Sequence, residues 1–162
     1  MVTIGVLSDT HLKNSAGPFE TLMEKHFKDV DMIIHAGDMV TLDVLEPFLT
    51  MDKQVVAVCG NMDLPDVQRG FPVSRIITVE DVRMGVIHGW GSPNGIRARI
   101  RNSFQDVDAI IYGHTHQAFS GREAGIFFFN PGSVTDSRFT SPCSLGIIRI
   151  DKDRIEGEII LI

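Results

Sequence analysis

The 162 residues include only two cysteines, Cys59 and Cys143, with a single tryptophan and a single tyrosine. Two thiols cannot build a disulfide framework, and neither has a partner close in sequence, so a core-held fold in a reducing, cytoplasmic setting is expected. Long apolar runs are also missing: none approaches the roughly 18 to 20 residues of a membrane span. The run Val2 to Leu7 has no basic flank and meets Asp9 almost at once, so neither a signal peptide nor membrane insertion is expected. Positive charge is in deficit, with 15 basic against 21 acidic side chains and a net charge of −6. That deficit excludes the broad basic field of a protein that grips nucleic acid by its phosphates, and any nucleotide chemistry must come from a local site. No repeat, low-complexity tract or linker interrupts the chain. Its 43% hydrophobic and 22% charged content is that of a folded globular protein, and one domain over residues 1–162 is expected.

Short β-branched runs alternate with helical spacing in the first half. Val2 to Leu7 predicts a buried strand, and Phe19, Leu22, Met23 and Phe27 recur at helical spacing over Pro18 to Lys28. Asp31 to His35 predicts the next strand, Thr41 to Thr50 a second helix and Gln54 to Cys59 a third strand. This β-α-β-α-β order predicts a parallel sheet with crossover helices. After a turn-rich stretch from Leu64 to Pro72, Arg75 to Val79 and Arg83 to His88 read as a hairpin through Glu80 and Asp81. A helix is predicted over Pro93 to Phe104 and a strand over Val107 to Tyr112. The remainder reads as antiparallel strands at Ala118 to Arg122, Ile126 to Phe129, Ser144 to Asp151 and Arg154 to Ile162. Two packed mixed sheets with outer helices follow.

The polar residues at the strand ends carry the chemical signal. Asp9, His11, Asp38, Asn61, His88, His114 and His116 each lie within a few residues after a predicted strand. In open α/β sheets, loops beyond the carboxyl ends of strands converge on one crevice. Glycine precedes three of these groups, at Gly37, Gly60 and Gly113, where the chain must turn sharply. Taken singly the pieces are weak. Asp9-Thr10-His11 serves equally as a turn or cap pair, Gly60-Asn61-Met62-Asp63 as a turn with a helix cap, and His88 as a satisfied buried histidine. Gly113-His114-Thr115-His116 is more telling, because two imidazoles around one residue at a strand end have few structural uses. Together the seven oxygen and imidazole donors suit borderline divalent ions, and they are too many for one tetrahedral ion. They fit two ions that share a carboxylate, a clamp suited to displacement at phosphorus. His26 and His35 lack this context and read as structural.

In this order the motifs resemble those of the calcineurin-like metallophosphoesterase superfamily, from Asp9-Thr10-His11 through Gly37-Asp38, Gly60-Asn61, His88 and Gly113-His114-Thr115-His116 to Asn130-Pro131-Gly132-Ser133. Length and the Asn-Pro-Gly-Ser turn point to its small bacterial and archaeal phosphodiesterase branch. The resemblance implies a four-layer αββα sandwich of two mixed sheets. It implies that Asp9, His11 and His116 hold one ion, that Asn61, His88 and His114 hold the other, and that Asp38 bridges them. Asp38, Asn61, His88 and His114 are then catalytic as well as ligating. Mn²⁺ or Ni²⁺ is the expected activator, with Fe²⁺ and Zn²⁺ compatible with the same donors. The implied reaction is phosphodiester hydrolysis by attack of a metal-bridging hydroxide on a small phosphodiester or nucleotide. No membrane and no stable nucleic-acid partner are expected, and a homodimer is compatible. Two alternatives stand beside this reading. One is a phosphomonoesterase of the same fold; the other is a protein-binding scaffold resembling the retromer subunit, although that subunit has lost part of the donor set that is complete here.

One position departs from the better-known phosphatases of the superfamily. They carry histidine where this chain has Met62, and a thioether cannot protonate a leaving alkoxide. A preference for diesters and for leaving groups that need little protonation is therefore expected. Trp90 reads either as a ring that stacks on a base or as a loop aromatic on its own scaffold. Arg97 and Arg101 read as a solvated face and Cys59 as core. Asn130 and Ser133 read as a tight turn that, by resemblance, borders the site.

Overall fold

The computed structural model describes residues 1–13, 17–135 and 142–162. The first sheet has the order β10 (Arg154–Leu161), β9 (Ser144–Asp151), β1 (Val2–Leu7), β2 (Met32–His35), β3 (Gln54–Ala57). The second runs β4 (Ser74–Val79), β5 (Val82–Ile87), β6 (Ala109–Tyr112), β8 (Ile126–Asn130), β7 (Phe119–Glu123). In each sheet three neighbouring strands are parallel, β1-β2-β3 in one and β5-β6-β8 in the other. Their carboxyl ends therefore lie on a common edge of each sheet, and that edge carries the polar loops.

Alternation along the strands decides what faces what. On β1, Ile4 and Val6 point to the second sheet and join Met84, Val86, Ile111 and Phe129 in the core between the sheets. Leu7 points the other way, into a cluster with Phe19, Met23 and Phe27 of α1 (Pro18–Phe27) and Phe48 of α2 (Glu46–Thr50). The outer face of the second sheet packs Ile110, Tyr112 and Phe128 against Ile96 and Ile100 of α4 (Ile96–Arg101). Three apolar clusters thus separate four layers, helix, sheet, sheet, helix, as expected.

Four local expectations change. A helix over 41–50 would hold Pro47 in its interior, where it has no N–H to give; a 3-10 turn at Leu42–Leu45 comes first and α2 restarts at Glu46, with Pro47 in its first turn. The stretch read as turns between Leu64 and Pro72 contains α3 (Pro65–Gly70), which Pro65 and Asp66 in the first turn announce. The helix expected over 93–104 is confined to Ile96–Arg101, because Gly95 at φ 73° breaks it at the start. Finally, β8 is not purely antiparallel: it forms a hairpin with β7 yet lies parallel to β6.

Candidate metal centre

All seven predicted donors meet where the two parallel edges face each other. Loops after β1, β2 and β3 bring Asp9, His11, Asp38 and Asn61; loops after β5 and β6 bring His88, His114 and His116. Five of the seven, Asp9, His11, Asp38, His114 and His116, have positive φ, between 46° and 69°. Such backbone costs on the order of 1–3 kcal/mol per residue and persists only where the surroundings impose it. Backbone bonds from Asp9 N–H to Gly37 O (3.0 Å) and from His11 N–H to Asp38 O (3.1 Å) stitch the first two loops together. A Cβ on Gly113 would lie 2.8 Å from Asp9 Oδ2, and one on Gly60 would collide with Asp38. The glycine before a donor on one loop is the space filled by a donor on another.

Each carboxylate gives one oxygen to the scaffold and turns the other inward. Asp9 Oδ2 accepts from Ser8 Oγ (2.7 Å) and the His114 N–H (3.0 Å), while Oδ1 lies 3.2 Å from His116 Nε2, 3.7 Å from His88 Nε2 and 3.8 Å from His11 Nε2. Asp38 Oδ1 accepts the Met62 N–H at 2.7 Å; Oδ2 lies 3.1 Å from His88 Nε2 and 3.8 Å from His11 Nε2. Buried Asp9 Oδ1 and His88 Nε2 have no well-formed hydrogen bond. Burial works against charge on Asp9, but the His11, His116 and His88 imidazoles around it outweigh it and hold the carboxyl well below the usual range. Burial likewise opposes charge on His88, and Asp38 and Asp9 overcome it, pushing that imidazole up to about 9.

The histidine tautomers are aimed as ligands require. A carbonyl only accepts, so His88 Nδ1 donates to Ala36 O (2.7 Å) and presents Nε2 to the carboxylates. His114 Nε2 donates to Gly91 O (2.9 Å), which leaves the Nδ1 lone pair 3.3 Å from Asn61 Oδ1. Two donor groups gather closely enough for one ion each, Asp9 with His11 and His116, and Asp9 with Asp38 and His88. Asp9 is common to both, and Asp38 also reaches from His88 to His11. The orphaned buried donors, the aimed imidazoles and the oxygen–nitrogen chemistry fit divalent cations.

One supporting residue was not anticipated, and a second was anticipated only as part of a turn bordering the site. Asp63, considered only as a cap, is buried and accepts from the N–H groups of Val40 (2.6 Å), Gly60 (2.7 Å) and Asp38 (3.1 Å). Its signal was its place three residues beyond Gly60. Asn130 is fully buried, donates to Gly113 O (3.0 Å) and Thr115 Oγ1 (3.1 Å) and accepts from Gly132 N–H (2.9 Å). Ser133 Oγ donates to Asp9 O at 2.7 Å, so the Asn-Pro-Gly-Ser turn does border the site. His35, fully buried, accepts from the Gly37 N–H and bonds Thr10 Oγ1 behind the donors, and burial pulls it down to about 3. His26 sits half-buried on α1. Arg97 is not simply solvated: its Nε donates to Glu123 at 2.7 Å, and its guanidinium lies over the Phe119 ring.

Residues 2–153 match the family model for the calcineurin-like phosphoesterase superfamily domain. The chain belongs to the calcineurin-like phosphoesterase superfamily. It is similar to a protein of Methanothermobacter thermautotrophicus described as a "Probable metallophosphoesterase", 38% identical over 97% of this chain and 91% of the relative. A phosphodiesterase of Methanocaldococcus jannaschii is 29% identical over 92% of this chain and 93% of its own. The solution structure of a Thermotoga maritima protein matches the fold with a TM-score of 0.76 at 31% identity, covering 100% of both chains. Membership in this superfamily implies divalent metal ions, and the donor cluster is where these residues would hold them. No described helix is long and apolar enough to cross a membrane.

Proposed function

We propose that this chain is a two-metal phosphodiesterase whose ions are held by Asp9, His11, Asp38, Asn61, His88, His114 and His116. The observation that carries the reading is the inward-facing Asp9 Oδ1, buried among three imidazole nitrogens at 3.2 to 3.8 Å with no well-formed hydrogen bond. We assign His11 and His116 to one ion, Asn61, His88 and His114 to the other, and Asp38 to both, with Asp9 able to reach either. Mn²⁺ or Ni²⁺ is the proposed activator. Such ions, when bound, would supply an activated water and offset charge on phosphoryl oxygens.

Hydrolysis adds water across one P–O ester bond; the products are a phosphate monoester and an alcohol, and one proton of the water ends on the departing oxygen. The chain's share of this work is to fix the donors and exclude wrong geometry. Asp63 and Asn130 hold the loops, and the Met62 backbone N–H holds Asp38 Oδ1. The Met62 side chain is 57% exposed and brings no proton. The leaving oxygen must therefore depart with little protonation, which favours aryl over alkyl esters and diesters over monoesters.

Stripping the protein with chelator, restoring single divalent ions and assaying a bis-aryl phosphate tests the reading. Activity should return with the ion, and Asp38→Asn should lower it on the order of a thousandfold. Undiminished activity in that variant removes Asp38 from the site. In a leaving-group series, rates that ignore the alcohol's pKa, or alkyl monoesters cleaved best, overturn the diester preference.

A further inference from the structure

Beside the donor cluster, on the side of Asn61 and His88, lies a groove of about 650 Å³ walled by Phe71, Pro72, Val73, Ile87 and Trp90. That is ample for one ring system and its linkage. Its remaining lining side chains are Cys59, Gln68 and, at the end toward the cluster, Asn61 and His88, and among the described residues no lysine, arginine, aspartate or glutamate lines it. Val73 and Trp90 are 69% and 47% exposed, a contiguous apolar wall open to solvent right at the candidate centre. The wall is held in place: Cys59 N–H donates to Pro72 O (2.9 Å), and Arg99 Nε donates to Trp90 O (3.0 Å). The next residue, Gly91, accepts from His114, so the Trp90 wall is tied directly to a donor of the centre.

Resting on the phosphodiesterase reading, we infer that this groove seats a flat, uncharged aromatic ring carried by one ester oxygen of the substrate, with Trp90 and Phe71 as its walls. Away from His88 a second phosphate or a carboxylate meets no lysine or arginine among the described lining residues, so nucleoside di- and triphosphates would not be seated with their charge in it. An aromatic face against Trp90 removes apolar surface from water on both partners, and the ester oxygen then points to His88 and Asn61.

Trp90 is the sole tryptophan, so its fluorescence reports the groove directly. The zinc-loaded full chain is titrated with benzylphosphonate against methylphosphonate, and with thymidine monophosphate against ribose 5-phosphate. Benzylphosphonate should quench Trp90 and bind at least about tenfold more tightly than methylphosphonate. The same gain in the second pair extends the ring class to nucleobases; a gain in the first pair alone restricts it to simple aryl groups. Equal binding within both pairs overturns the inference. Trp90→Ala, and Val73→Glu at a position too exposed to endanger folding, should each cut the ratio of kcat/KM for aryl over methyl diesters about tenfold, and an unchanged ratio in both overturns it. The two readings fail separately. Ion-dependent hydrolysis without a ring effect sinks the groove alone, and ring-dependent quenching without ion-dependent hydrolysis sinks the phosphodiesterase alone.

Discussion

The edge of the first sheet brings both inward-facing carboxylates, Asp9 and Asp38, together with His11 and Asn61, whereas the edge of the second brings only imidazoles, His88, His114 and His116. The negative charge of the cluster is thus built into one half, and the other half leans across to it. His116 Nε2 comes within 3.2 Å of Asp9 and His88 Nε2 within 3.1 Å of Asp38. The supports follow the same division. On the carboxylate side a buried acid, Asp63, gathers three backbone N–H groups; on the imidazole side a buried amide, Asn130, donates to Gly113 O and Thr115 Oγ1 and accepts one N–H. Without a cation, a proton on His88 supplies the positive charge that the carboxylates demand. His88 would therefore be the exchangeable donor, trading a proton for a metal, while Asp9 and Asp38 are held charged in either state.

The sharpest way to break this comparison is to remove one carboxylate and one imidazole separately. Asp9→Asn should abolish uptake of both ions, measured as metal per protein, and lower hydrolysis on the order of a thousandfold; His116→Asn should leave partial metal content. Greater loss from His116→Asn would reverse the assignment of roles. Next in size, Asp63→Asn and Asn130→Ala each remove one support and should weaken metal binding about 10- to 100-fold. Titration with a competing chelator measures both, and an effect confined to thermal stability would make these residues part of the fold alone. Gly113→Ala sets a methyl group against Asp9 Oδ2 and should cost about 1–3 kcal/mol in chemical denaturation of the metal-free protein. The smallest effect is in pH. His88 is raised from 6.5 to about 9 in the folded metal-free chain, so its contribution to stability is full below pH 6.5 and is lost as pH rises through 9. The Tm of the chelator-treated protein should fall across that window, and apparent metal affinity should rise as the competing proton leaves. A flat Tm from pH 6.5 to 9 would show that His88 is not paired with the carboxylates.

Much of this was legible one segment at a time. β1, α1 and β2 fall close to where β-branched runs and helical spacing place them, because each is a local pattern with one buried face. The seven proposed donors could be named for the same reason, since each follows a strand within a few residues. The support from Asp63 was not legible, and Asn130 was legible only as part of a turn bordering the site, because their bonds reach Val40 and Gly113, far away in sequence. Nor could spacing reveal that β8 inserts between β6 and β7, which is what sets Asn130 beside the loop of His114 and His116. α3 was missed although Pro65 at its start was in view, because a six-residue helix has almost no periodicity to detect.

Local chemistry alone determined which residues could bind a cation and that each would stand at the end of a strand, since strand propensity, glycine turns and donor type are properties of short segments. Only the packing of the two sheets decided that Asp9 faces three imidazoles, that each carboxylate keeps one oxygen for the cluster, and that a groove walled by Phe71 and Trp90 opens beside it. Those features depend on distances between loops from different sheets, and such distances are set by the apolar core between Ile4, Val6, Val86 and Phe129 and its fellows, not by any stretch of neighbouring residues.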